Sequence, residues 1–456
     1  MTLYNAFAET TETAAWRARR RSESSTAEVL TMAMRMIDEF AAVVGIDWAD
    51  RKHDLCLQAG RAGKREYLVL EHRPEAIDNW ANGLRLRFDN RPVAVCLEQR
   101  KGPLIHALSK YEHLVLFPIN PQLLSRLRKA FAPSGAKDDP SDAALAVDIL
   151  LQYGERLRPW VPEDPRTRQL QALVQGRRRL VEQRVRVTNR LLANLKGYFP
   201  QATDCFDRLD TVVACDFLTR WPSLGHAKRA RADTLREFFH HHGVRGAARI
   251  EGRIAMLAQA LPLTTDAGVL LPALVATRTQ VAELRALISG IESYDEAIKR
   301  TFRDHPDAFI FASLPGAGPT FAPRLLAAVG SDRERYDSVA SMQKYLGIAP
   351  VTERSGKSQW VHWRYACPTF LRQSIIEWVG MSIRYSYWAA AYYRQQRAKG
   401  KRHHIAVRAL AFKWLRVLYR CWQERRPYDE AKYLFALKQR KAPLLQYMSE
   451  TLEGAA

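Results

Sequence analysis

Four acidic residues have types and positions that suit a metal site. Asp47 and Glu98 each end a short apolar run. Asp139 and Asp142 lie three residues apart, so they share one face of a helix. A cluster of carboxylate oxygens suits two hard divalent cations, with Mg²⁺ preferred and Mn²⁺ as its substitute. A single carboxylate of this kind is more often a turn former or a cap, so the prediction requires that the fold bring all of them together.

The segment that begins at residue 42 has an α/β pattern that would do so. The predicted strands are Val43–Asp47, His53–Ala59, Glu66–Leu70, Pro92–Glu98 and Leu114–Pro118. The predicted helices are Pro74–Arg85, Pro103–Lys110 and a short one after Pro121. A further predicted helix begins at Asp139 and Pro140 and runs through Leu150. The order β-β-β-α-β-α-β-α is that of the ribonuclease H-like fold, in which strands one and four are neighbours. This fold would place Asp47 beside Glu98.

The later part of the chain is predicted to be helical. Residues 166–196 and about 270–299 carry apolar residues at a spacing of three and four, which predicts an antiparallel coiled coil or an oligomerisation arm. Leu314–Thr320 resembles the hairpin of a helix-hairpin-helix, where Gly316 and Gly318 would let backbone N–H groups approach a phosphate. A plain turn between helices is an equal alternative.

Composition indicates the class of partner. The chain has 70 Lys and Arg against 48 Asp and Glu, a net charge of +22, which favours a nucleic acid over an anionic membrane. No apolar run approaches the roughly 20 residues of a membrane span, and no signal-peptide core is present, so a cytoplasmic location is expected. The six cysteines show no Cys-x-x-Cys spacing, which argues against a zinc or redox motif.

Several motifs together resemble those of the DEDD transposases of bacterial insertion sequences, whose N-terminal half resembles the Holliday-junction resolvase RuvC. The matching motifs are Gly45-Ile46-Asp47, Leu97-Glu98, Lys137-x-Asp139-x-x-Asp142-Ala143, Leu314–Gly318, Tyr345–Pro350 and Arg354–Lys357. The resemblance covers about residues 42–425. Asp138 departs from the family pattern, which usually has a neutral residue there, and the spacing to Asp142 assigns the ligand to Asp139 instead.

The resemblance implies that a serine of the C-terminal domain is the nucleophile, and the match places it at Ser355, with Ser358 as the nearest rival. Ser355 lies between Arg354 and Lys357 in a Gly-bearing segment that could hold a phosphate, although a simple turn is the alternative. Trp360 and Arg364 follow, in a segment where aromatic and basic residues alternate. We predict that these four flanking residues, Arg354, Lys357, Trp360 and Arg364, bind nucleic acid, as do Gly316 and Gly318.

The implied activity is RNA-guided cleavage and exchange of DNA strands through a transient phosphoserine. Its partners would be donor and target DNA, a structured noncoding guide RNA, and further copies of the chain in a homodimer or homotetramer that associates with the nucleoid when bound to DNA. The acidic tetrad of one subunit would face the serine of another. The predicted division is a basic N-terminal extension at 1–41, a RuvC-like catalytic domain at 42–160, a helical region at 161–304 and a C-terminal transposase domain at 305–456.

Two other classes of function fit fewer of these features. A Holliday-junction-type endonuclease would use the same carboxylates with water as the nucleophile, but it would not need the long second half. An inactive nucleic-acid binder would not need the acidic tetrad.

Overall fold

Five strands of the N-terminal part form one mixed sheet. The computed structural model describes residues 39–98, 102–131 and 139–448, without the side chains of Phe131 and Asp139. The strands are β1 (Ala42–Asp47), β2 (Lys52–Ala59), β3 (Arg65–Glu71), β4 (Val93–Leu97) and β5 (Leu114–Pro118). The helices are α1 (Pro74–Arg87), α2 (Pro103–Leu108), α3 (Pro121–Phe131) and α4 (Asp139–Tyr153). These elements confirm the predicted order.

The strand order is β3-β2-β1-β4-β5. β1 pairs antiparallel with β2 and parallel with β4, and the parallel register sets Gly45 opposite Cys96 and Ile46 opposite Leu97. The neighbourhood of strands one and four is therefore confirmed, as is the ribonuclease H-like α/β class. β1 and β4 are buried on both faces because helices cover both sides of the sheet.

Each face of the sheet has its own core. Val44, Ile46 and the other residues of that face pack with α1 and α2. Val43, Cys96 and the residues that alternate with them pack with α3 and α4. Because successive side chains of a strand point to opposite faces, Gly45 and Asp47 share the face that α4 covers, as do Cys96 and Glu98.

The chain divides into two compact units between Pro162 and Glu163. The second unit begins with α5 (Pro165–Tyr198), which packs along the later helix α11 (Ala267–Arg303). Ion pairs join Arg177 to Asp295 and Arg190 to Glu283, so the two helices run antiparallel, as one of the predicted alternatives requires. Whether they form a regular coiled coil stays a prediction.

Short helices connect these two long ones and enclose a separate apolar core. They are α6 (Gln201–Cys205), α7 (Val212–Arg220), α8 (Leu224–Arg229), α9 (Ala232–His241) and α10 (Ala247–Gln259). The C-terminal part continues with α12 (Ala308–Ala312), α13 (Gly318–Val329), α14 (Val339–Tyr345), α15 (Thr369–Ser382), α16 (Tyr387–Ala398), α17 (His403–Gln423) and α18 (Glu430–Gln439). Leu170, Val174 and Ile298 of the long helices share the apolar core of this part. The predicted boundary between 304 and 305 stays a prediction.

A two-stranded antiparallel hairpin interrupts the helices of the second unit. It consists of β6 (Val351–Ser355) and β7 (Ser358–His362), and we call it the β6–β7 ribbon. The sequence prediction called the C-terminal domain helical and described the Ser355 segment as a Gly-bearing loop or turn, so it anticipated the turn but missed the two strands. No helix in the described ranges combines the length and the apolar content needed to cross a membrane.

Candidate active site

Asp47 and Glu98 lie side by side at the carboxyl ends of two parallel strands. The parallel register ends with Ile46 opposite Leu97; Asp47 is the last residue of β1, and Glu98 directly follows β4. Both side chains are half-buried. Their strands place them on the same face of the sheet, so carboxylate oxygens from two segments far apart in sequence meet at one edge.

Helix α4 approaches this face closely because β1 carries a glycine there. A Cβ atom on Gly45 would lie 2.0 Å from the carbonyl oxygen of Ala143 and 2.9 Å from Cβ of Ala146. Backbone cannot yield at such a distance, so any side chain at residue 45 would push α4 away. The glycine two residues before Asp47 thus sets how near Asp142, which precedes Ala143, comes to the strand ends.

Asp142 is buried, with 2% of its surface exposed, and it has a cationic partner. The Arg128 guanidinium on α3 donates through Nε to Oδ1 at 2.5 Å and through Nη2 to Oδ2. A buried carboxylate requires such compensation, because its removal from water is costly. This partner was not predicted from the sequence, because no local pattern links residues on two different helices.

The described carboxylates are ligands of the chemical type that a hard divalent cation prefers. Asp47, Glu98 and Asp142 offer only carboxylate oxygens on one face of the sheet, and a ligand shell of this type favours Mg²⁺ or Mn²⁺. Within the described residues, no group of three or more acidic, histidine or cysteine side chains is close enough to hold a metal ion. α4 begins at Asp139, whose side chain lies outside the described residues, as does all of Asp138. The tetrad as a whole therefore stays a prediction.

The loop after Asp47 is held by a buried histidine. The Ala49 amide donates to Nδ1 of His53 at 3.3 Å, and Nε2 of His53 lies 3.0 Å from Nδ1 of His72. Because Nδ1 accepts a hydrogen bond, the neutral ring carries its proton on Nε2 and donates it to His72. Burial, and then the charge of His72, lowers the pKa of His53 to about 4. His53 is thus neutral at pH 7 and fixes the chain beyond Asp47.

Ser355 is the last residue of β6, beside a tight turn at the exposed tip of the β6–β7 ribbon. It pairs with Ser358, and Gly356-Lys357 form the connection between them. Gly356 has a φ of 56°, which matches the first central position of a type II′ turn. Ser355 and both residues of the turn are exposed to solvent.

The pleat of the ribbon decides which side chains share a face with Ser355. Glu353 and Trp360 form the next pair on that face, and Trp360 is 47% exposed. Arg354 projects from the opposite face, so it does not flank the Ser355 hydroxyl directly. Lys357 occupies the turn itself. The predicted nucleic-acid contacts of Arg354, Lys357 and Trp360 stay predictions.

The glycine turn before α13 has packing functions that the sequence did not reveal. The Trp378 indole donates to the carbonyl oxygen of Pro315 at 3.0 Å, and a Cβ atom on Gly316 would lie 3.0 Å from the Tyr385 ring. Gly316 also has a φ of 69°, where glycine is favoured. Gly318 is exposed, with open space around it. Packing alone accounts for Gly316, and phosphate contacts by either glycine stay predictions.

Two family models match the chain. A DEDD transposase model of the IS110 type, described as "Transposase", matches residues 44–200, which contain Asp47, Glu98 and Asp142. A second model, described as "Transposase IS116/IS110/IS902 family", matches residues 308–394, which contain the β6–β7 ribbon and Ser355. The first match spans most of the first unit and continues into α5 of the second, the second match lies within the second unit, and the two follow the order of the sequence motifs.

Relatives over most of the chain agree with these models. A Streptomyces coelicolor protein named as a transposase for the mini-circle IS117 is 28% identical and is aligned over 90% of this chain and 99% of its own length. A 43.6 kDa protein of the insertion element IS110 from the same species is 29% identical, over 66% of this chain and 74% of its own length. A 42 kDa protein of IS900 from Mycobacterium paratuberculosis is 27% identical, over 65% and 73%. The chain belongs to the IS110/IS116 family of transposases, enzymes that act on DNA.

Proposed function

We propose that this transposase cleaves and exchanges DNA strands through a covalent bond between Ser355 and DNA, with Mg²⁺ or Mn²⁺ held by Asp47, Glu98, Asp139 and Asp142. The observation that carries the proposal is the parallel register of β1 and β4. It sets Asp47 beside Glu98 on the face where Gly45 admits the helix of Asp142. Carboxylates from three separate segments on one face of a ribonuclease H-like sheet suit phosphoryl transfer better than they suit a structural role.

The protein's own groups define the chemical step. The Ser355 oxygen attacks a backbone phosphorus, the bond from phosphorus to a sugar oxygen breaks, and that oxygen leaves with a proton as a free hydroxyl. A hydroxyl of the second DNA strand then attacks the phosphoserine and frees Ser355. A divalent cation, when bound, polarises the phosphoryl oxygen and lowers the pKa of the attacking hydroxyl.

Arg128 has a defined part in this scheme. It neutralises Asp142 when no metal is bound, and it must give up that carboxylate for Asp142 to become a ligand. Metal binding by Asp142 would therefore require the Arg128 side chain to move.

The test is covalent capture of DNA by single variants. Ser355→Ala should form no adduct on a denaturing gel and should still bind nucleic acid. Ser358→Ala is the matched control, because Ser358 is the cross-strand neighbour of Ser355 and equally exposed, and it should keep the adduct. An adduct formed by Ser355→Ala overturns the assignment. Metal-dependent cleavage without any adduct in the wild type would instead favour the water-dependent endonuclease.

The guide RNA is part of the same proposal and rests on family resemblance. The net charge of +22 is compatible with holding an RNA together with two DNA duplexes. Protein purified from cells that carry the complete element should retain a discrete noncoding RNA. Wild-type protein that recombines the element's DNA after complete RNA digestion contradicts RNA guidance.

A further inference from the structure

Several partly buried arginines in the second unit have carboxylate partners. Arg324 pairs with Glu377, Arg333 with Asp307 and Arg335 with Glu163. The side chains of these three arginines are only 14–27% exposed. The pairing has a simple cause: a guanidinium withdrawn from water requires an anion or several acceptors to replace its hydration.

Among the described residues, three arginines around Trp363 lack such a partner and lie close to one another. Arg364, Arg372 and Arg408 are each half-buried, yet none forms an ion pair with a carboxylate anywhere in the described ranges. The guanidinium carbons of Arg372 and Arg408 lie 4.3 Å and 3.8 Å from the centre of the Trp363 ring. We call Arg364, Arg372 and Arg408 the arginine cluster.

Backbone contacts fix two members of the cluster in place. Arg364 donates through Nε to the Ala349 carbonyl oxygen at 3.2 Å. Arg372 donates through Nη1 to the Arg364 carbonyl oxygen at 2.8 Å and to Sγ of Cys367 at 3.3 Å. These neutral acceptors orient the guanidinium groups but do not cancel their charge. The remaining N–H donors are thus preorganised around a site without a counter-ion.

The charges in the cluster repel one another. The pKa of Arg408 is lowered, first by burial and then by the charge of Arg372. The helix that carries Arg408, α17, contains Arg408, Lys413, Arg416 and Arg420 but no Asp or Glu. No acidic residue of that helix can therefore supply the missing negative charge.

We propose that the arginine cluster binds a phosphate group of a nucleic-acid backbone at the base of the β6–β7 ribbon. Trp363 directly follows β7, so a phosphate held there would fix a strand at a set distance from the ribbon tip that carries Ser355. Planar guanidinium groups suit a phosphate because they offer paired N–H donors to its oxygens. The proposal deepens the proposed function. It rests on that function only for the catalytic role given to Ser355. The three arginines are positioning residues and take no part in the bond changes.

The experiment is a salt titration of nucleic-acid binding by fluorescence anisotropy, with a mixed-sequence single-stranded oligonucleotide made once as DNA and once as RNA. Each phosphate contact that is lost should reduce the slope of log K against log salt by about 0.7. The full-length double variant Arg372→Gln/Arg408→Gln should show a slope smaller by about that amount and an affinity about tenfold lower at low salt. Loss with both oligonucleotides identifies a shared phosphodiester site, whereas loss with one alone assigns the site to DNA or to RNA.

The matched control removes the same charge elsewhere. Lys299 and Arg300 are exposed on α11, and Lys299→Gln/Arg300→Gln should leave the slope within error of the wild type. A slope change in this control as large as that in the cluster variant overturns the proposal, because it would show a diffuse charge effect. An unchanged slope in the cluster variant overturns it as well.

Two further variants separate folding and catalysis from phosphate binding. Arg372→Lys/Arg408→Lys keeps both positive charges. If the glutamine variant has a smaller slope because it lost a phosphate contact, and not because it misfolds, the lysine variant should regain most of the slope. Ser355→Ala should retain the full slope whether or not it forms an adduct. The proposal for the arginine cluster can therefore fail while the Ser355 assignment stands. The Ser355 assignment can likewise fail while the proposal for the arginine cluster stands.

Discussion

At the scale of single residues, Asp142 and Arg128 form a buried ion pair at the proposed metal site. The Asp142 side chain is 1% exposed and the Arg128 side chain 25% exposed, so the carboxylate is the group that water cannot reach. Removing one partner of a buried pair costs more than the pair itself contributes, because a charge is then left uncompensated. Arg128 thus supplies the positive charge that the buried carboxylate requires.

Replacing Arg128 by Gln tests this pairing. Without divalent metal, we expect the free energy of unfolding to fall by about 3 kcal/mol, because Asp142 stays buried without a counter-charge. Added Mg²⁺ should narrow this difference, since the free carboxylate gains a partner, and urea unfolding with and without Mg²⁺ measures both effects. Arg87→Gln is the control, because its pair with Glu66 is similarly bidentate but exposed, and it should cost far less. Equal losses in both variants, with no response to Mg²⁺, contradict the role given to Asp142.

His53 makes the loop after Asp47 sensitive to acid. Its pKa is about 4 in the folded protein, below the ordinary value of 6.5, so the unfolded chain binds more protons between these values. His53 therefore favours folding above pH 6.5, and this contribution is lost as the pH falls toward 4. Protonation of Nδ1 also abolishes its hydrogen bond with the Ala49 amide. We expect the free energy of unfolding of the wild type to fall between pH 6.5 and pH 4 by on the order of 2 kcal/mol more than that of His53→Asn. Urea unfolding at both pH values measures this difference. Parallel losses in both proteins would show that other groups cause the acid effect.

At the scale of elements, the sheet was predictable and the helix contacts on it were not. Apolar runs with turn residues between them locate β1 to β5, and their order with the helices implies that β1 and β4 are neighbours. The partnership of Asp142 with Arg128 depends on how α3 packs against α4, which no periodicity encodes. The strands of the β6–β7 ribbon were not predicted from the sequence. They are short and exposed, and the two-residue turn at Gly356 between them is a weak local signal inside a mostly helical part of the chain.

Gly45→Ala tests the contact between β1 and α4. The added methyl group would overlap the Ala143 carbonyl, so we expect a loss of about 3 kcal/mol in unfolding free energy and weaker metal binding as α4 moves outward. Gly83→Ala is the control, since Gly83 lies in α1 with open space around its Cβ position. That change should raise stability by about 0.5–1 kcal/mol through helix propensity. Calorimetry of both variants measures these changes in unfolding free energy. If Gly45→Ala left the unfolding free energy unchanged, the position of α4 would not depend on this contact.

At the scale of the whole molecule, the proposed reaction needs groups from both units. Asp47 and its partners belong to the unit that ends at Pro162, whereas Ser355 belongs to the unit that begins at Glu163. Ser355 lies on an exposed ribbon, whereas the carboxylates proposed to hold the metal belong to the other unit. Homo-oligomers allow those groups to come from a second copy of the chain.

Mixing inactive variants tests this sharing between subunits. Asp47→Asn and Ser355→Ala should each be inactive alone, but an equal mixture that exchanges subunits should regain about one quarter of the wild-type active sites if a dimer forms them in trans. Mixing Asp47→Asn with Asp142→Asn is the control and should regain nothing, because every site then lacks one ligand of the same tetrad. Strand exchange on labelled DNA measures recovery, and mass photometry verifies that mixed oligomers form. Mixed oligomers without any recovery would show that Asp47 and Ser355 act within one chain, and the trans arrangement would then be wrong while the chemistry proposed for each residue stands.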